Sequence, residues 1–149
     1  MLMIDTGQVS PMPALPSCAI PGARPETKRM ADLPTPVHDA LLASVGQPIA
    51  EAGAPFNASD VVPPNAPPRV RFLRAYRVRD LWLVWVEKGG IGHDFRLLAF
   101  RDAAKGASVA VPVPHGASRK LCTASRAMAG KGSRDNYSSP ARGGGRPKA

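Results

Sequence analysis

The chain has 149 residues, 44% of them apolar, and a formal net charge of +9, which bounds it at one modest domain. Thirteen of its 17 prolines fall within residues 1–68, and six of its eight aromatic residues lie between Phe72 and Phe100. That spread excludes a uniformly folded chain, a long solenoid and a coiled coil.

No stretch approaches the ~20 apolar residues of a spanning helix; the longest strongly apolar run is Leu81 to Val86, between Asp80 and Glu87. The first residues carry an acid at Asp5 and prolines at 11, 13 and 16 where a leader would be apolar. We therefore expect no membrane partner and a cytoplasmic protein. In that setting Cys18 and Cys122 are expected as free thiols, and the glycosylation patterns at Asn57 and Asn136 as chance matches.

Charge divides the chain at about residue 68. Residues 1–68 carry three basic and six acidic side chains, a net of −3, and residues 69–149 carry seventeen against five, a net of +12. Halves this different imply a modular chain.

Taken in order, residues 1–34 are punctuated by proline without periodicity and are expected to be disordered or extended. A short helix is expected over 36–45, with Thr35 as cap, Pro36 in the first turn, Val37, Ala40, Leu41 and Val45 on one face, and Gly46 as stop. Residues 47–68 read as loop, ending in a polyproline spacer at 63–68. Residues 69–79, RVRFLRAYRVR, alternate as a half-buried strand: Val70, Phe72, Tyr76 and Val78 on one face, Arg69, Arg71, Arg77 and Arg79 on the other, and Arg74 out of place. A break near Arg79-Asp80, a strand over 81–86, a glycine hairpin turn, a strand over 93–101, a turn at 102–106 and an edge strand near Val109 to Val113 follow. Residues 115–149 read as a disordered basic tail. The expected fold is thus a small α+β domain over 35–114. In it a short helix packs on a three- to four-stranded antiparallel β-meander, between disordered N- and C-terminal segments, with Trp82, Val84, Val86, Phe72 and Phe95 most buried.

Candidate chemistry is sparse. Lys88-Gly89-Gly90-Ile91-Gly92-His93 suggests a phosphate cradle, but no Ser or Thr follows the lysine, and the dinucleotide pattern through Gly90 and Gly92 then meets Phe95. His93 is the one histidine placed for catalysis, and a polar residue opening a strand explains it as well. His38, His93 and His115 have no metal-ligand spacing, and no nucleophile elbow exists, so neither cofactor, metal nor catalytic residue is assigned. The basic surface is the strongest signal: Arg69, Arg71, Arg77 and Arg79 on the strand, with Arg119, Lys120, Arg126, Arg142 and Arg146 beyond it. Guanidinium groups neutralise phosphates, so a non-enzymatic module binding polyanions such as nucleic acid is the leading expectation. The alternatives are a protein-interaction domain using an exposed sheet edge, and a nucleotide-binding or hydrolytic enzyme at the Gly89–Gly92 loop.

Overall fold

The computed structural model describes residues 11–114 and 120–131. Its centre is a five-stranded sheet in the order β1-β2-β3-β4-β5: β1 (Ile49–Ala50), β2 (Val70–Val78), β3 (Leu81–Lys88), β4 (Asp94–Asp102) and β5 (Ser108–Val111). Strands β2 to β5 form the expected antiparallel meander, and β1 adds a short parallel pairing to β2 through Ile49 and Val70. Helix α1 (Thr35–Val45) starts one residue earlier than the capping pattern implies and stops at Gly46, whose φ of 76° only glycine adopts without strain. A second helix, α2, spans 121–131.

The register of β2 shifts between Phe72 and Arg74. This bulge places Leu73 and Arg74 side by side and reverses the alternation beyond them. Val70 and Phe72 therefore face one way, with Ala75, and Tyr76 and Val78 face the other, with Leu73. The expected common apolar face does not exist, nor does the cationic one. Both sides of the sheet are buried. On the first, Leu33, Val37, Leu41 and Ile49 cover Phe72, Trp82, Val84, Val86 and Phe100. On the second, Ile20 and α2 cover Leu73, Tyr76, Leu83, Trp85 and Leu97.

Several segments expected to be unstructured pack. In the N-terminal segment Ala23 and Thr27 bridge to Val78 and Ala75, Met30–Asp32 forms a 3-10 turn, and Leu33 is buried. Residues 1–10 lie outside the described residues. Within 47–68, Phe56 and Asn57 are fully buried. The basic tail also needs correction: Leu121, Ala124, Met128 and Ala129 of α2 join the core, while 115–119 and 132–149 fall outside the described residues. Cys18 and Cys122 are not free thiols but a disulfide, with Cα atoms 5.6 Å apart. It ties the N-terminal segment to the first turn of α2. Of the residues expected to be most buried, Phe72, Trp82, Val84 and Val86 are in the core, and Phe95 is only partly covered.

Candidate anion-binding site

The arginines of β2 and its turn go to separate places. Arg71 is fully buried and donates from Nε and Nη2 to Glu87 Oε1, at 3.3 and 2.7 Å. Its guanidinium lies 4.5 Å from the Phe56 ring centroid, and Nη2 also donates to the Pro11 carbonyl. Arg74, on the same side, stacks over Trp85, donates to the Tyr76 hydroxyl and pairs with Glu26. Arg77 is on the opposite side, over Trp82 and paired with Asp102 at 3.0 Å. Arg69 packs against Gly90, its Nε buried and without a hydrogen-bond partner among the described residues. Arg71, Arg74 and Arg77 are thus committed to partners within the fold.

The glycine loop does not form a phosphate cradle. Gly89 N and Gly90 N donate to the carbonyls of Arg69 and Ala58, so those two amides are engaged. A Cβ at Gly89 would collide with the Asn57 carbonyl and Ala58, while Gly90 and Gly92 hold φ of 99° and 72°. Ile91 at the tip is highly exposed. Lys88 and His93 part company: Lys88 borders a slot with Val86, Arg96 and Leu98 beside the end of α1, whereas His93 Nε2 lies 2.7 Å from Glu87 Oε2, on the side of Arg71. The buried Glu87 carboxylate thus bridges Arg71 and a half-exposed histidine. Opposite a carboxylate, Nε2 acts as the donor. Among the described residues no group of three or more His, Cys, Asp or Glu side chains gathers to hold a metal. The Asn57 glycosylation pattern is turned inward, its side chain hydrogen-bonded to Ser59 and the Val61 carbonyl.

At the other end of the sheet two of the candidate arginines do meet. Arg79 sits in the two-residue turn between β2 and β3 with φ of 57°. Its Nη2 donates to the Ala129 carbonyl of α2, at 3.3 Å. Arg126 of α2 donates from Nε to the Ala19 carbonyl at 2.8 Å. Both border an open groove of about 460 Å³, completed by Pro21, Gly22, Ala129 and Gly130. The other lining residues are small or uncharged. Among the described residues neither guanidinium pairs with a carboxylate. Neighbouring Asp80 is itself taken by Arg101 at 3.0 Å. Among the described residues each arginine gives one donor to a carbonyl of the fold, and the planar fork of a guanidinium carries further donors.

Comparison with protein-family models, curated proteins and solved structures finds no match. Lys120 is exposed just before α2, and Arg119, Arg142 and Arg146 lie outside the described residues. Sequence reasoning named Arg79 and Arg126 but not their meeting, since 47 positions separate them. The signal available was helical spacing: Leu121, Ala124, Ser125, Met128 and Ala129 recur at intervals of three and four. That pattern puts Arg126 on the flank of a docked helix. Among the described residues no helix is long and apolar enough to cross a membrane.

Proposed function

We propose that this chain is a small non-enzymatic binding module that takes polyanions, nucleic acid among them, in the groove between Arg79 and Arg126. The observation that carries this reading is two guanidinium groups on one open groove, each anchored by a backbone carbonyl and, among the described residues, neither matched by a carboxylate. Such a pair offers oriented, charge-assisted donors to phosphate oxygens without selecting a base. Lys131 follows Gly130 of the groove in the sequence, and residues 132–149 add four basic side chains against one acid. The charge thus continues along the chain from the site. The disulfide supports an oxidising compartment rather than the cytoplasmic placement expected from sequence.

A salt titration of the full chain with single-stranded DNA tests the reading. The logarithm of affinity should fall linearly with that of salt concentration, and the double variant R79A/R126A should flatten the slope by about 1.4, roughly 0.7 per phosphate contact on a single strand. Lys88→Ala, which removes one positive charge at the far end of the sheet, should leave the affinity within about twofold. An unchanged slope in R79A/R126A, or no binding at low salt, refutes the proposal.

A further inference from the structure

We propose that the Cys18–Cys122 disulfide gates the groove, so that reduction releases α2 from the sheet and dismantles the anion seat. The functional half of this inference rests on the polyanion reading; the structural half does not. The groove is built from three segments: Pro21 and Gly22 of the N-terminal segment, Arg79 of the β2–β3 turn, and Arg126, Ala129 and Gly130 of α2. Only Arg79 belongs to the sheet. The other two segments are joined to each other by two adjacent links, the disulfide itself and the Arg126 Nε to Ala19 carbonyl hydrogen bond. Cys18 and Ala19 are consecutive, and Cys122 and Arg126 are one helical turn apart on the same face of α2. The covalent link therefore sets the position from which Arg126 reaches the groove.

Without it α2 has little to hold it. A helix of about three turns is marginal on its own in water. Two of its four core apolar residues are alanines, and its remaining anchors are three hydrogen bonds: the Ser125 hydroxyl, which accepts from Trp85 Nε1 at 2.9 Å, the Arg79 donor at Ala129, and the Arg126 donor at the Ala19 carbonyl. The N-terminal segment, by contrast, keeps its bridges from Ala23 and Thr27 to β2. Reduction should then free the helix and leave the sheet in place. The step balances with a dithiol as reductant: the Cys18–Cys122 bond takes up two electrons and two protons, both sulfurs become thiols, and the reductant closes its own disulfide.

Hydrogen exchange of the full chain, oxidised and after treatment with a dithiol, decides the structural half. The same two samples are titrated with labelled single-stranded DNA. Amides of 121–131 should exchange at least about tenfold faster in the reduced chain while those of β3 and β4 keep their protection. DNA affinity should fall about tenfold, and in Arg126→Ala the oxidised and reduced chains should bind alike. Unchanged exchange over 121–131, with mass spectrometry showing both thiols free, overturns the gate. So does loss of protection across β3 and β4, which would make the disulfide a staple of the whole fold. Failure of the oxidised chain to bind DNA would sink the polyanion reading alone, because the exchange result still decides the release of α2.

Discussion

The Glu51 carboxylate accepts hydrogen bonds from the backbone amides of Met30, Ala31 and Ala52, at 2.6, 2.9 and 2.9 Å. It holds the 3-10 turn of the N-terminal segment against the strand that follows α1. Burial pulls its pKa upward, but those three amides and the Arg29 charge outweigh it, leaving the carboxyl below its ordinary value of 4.5. A carboxyl lowered on folding stabilises the native state above 4.5, and that contribution is lost as pH falls through the folded value. Glu51→Gln should cost about 1 kcal/mol at neutral pH, a charge-assisted hydrogen bond discounted for solvent exposure. In urea unfolding the gap between variant and parent should narrow as pH falls below 4.5; a gap independent of pH would refute the assignment. Arg71 sets a harsher limit. Replacing it by Met leaves the nearly buried Glu87 with only His93 and should cost about 3–5 kcal/mol, most of the stability of a small domain. Urea unfolding of Arg71→Met checks this, and a cost under about 1 kcal/mol would show that the pair is solvated. Loss of DNA binding in that variant would report unfolding and say nothing about a basic face.

At the scale of elements, the β3–β4 hairpin is fixed by a close approach rather than by its turn alone. Gly89 abuts the Asn57 carbonyl and the Ala58 backbone, and backbone has no rotamer with which to move aside. Gly89→Ala should therefore cost about 1–3 kcal/mol by overpacking, read as a drop in the thermal midpoint. Gly46→Ala, with nothing near its absent Cβ, should cost only the ~1 kcal/mol of a left-handed backbone. Equal losses in the two would show that the contact with Asn57 yields. The strands themselves were legible because alternation and apolar runs are local signals. Their faces were not, because one extra residue at Leu73 and Arg74 reverses the alternation of β2. Arg74, the one charge out of step, marked that bulge in the sequence. Helix α2 was missed for another reason. Its buried positions are mostly Ala and Ser, so a search for large side chains passes over a helical spacing that is present. Phe56 stands alone among prolines and small residues, and only tertiary contact with Arg71 explains its burial.

Across the whole molecule, the chemistry of the second sheet face decides how much of the chain the fold requires. Trp85 is fully buried there, with Leu73, Leu83 and Leu97 around it. The cover comes from segments near both ends of the described chain: Ile20 on one side, Leu121, Ala124, Met128 and Ala129 on the other. A sheet bare on that face would present a contiguous apolar patch of the kind soluble monomers avoid. Charge alone suggests a boundary at residue 114, since everything after it is rich in Arg and Lys, but α2 residues as far as Ala129 pack in the core. A chain ending at residue 114 should then bind the dye ANS and show Trp85 emission shifted to the red. It should also melt at least roughly 5–15 °C below a chain ending at residue 131, the shift expected in so small a domain for the loss of one or two kcal/mol of net helix packing, to which the loss of the Cys18–Cys122 disulfide adds. The chain ending at 131 should melt within about 2 °C of the full-length protein. Equal melting of the two truncated chains would show that α2 rests on the sheet without stabilising it, and would remove the support that the Arg79–Arg126 groove takes from the core beneath it.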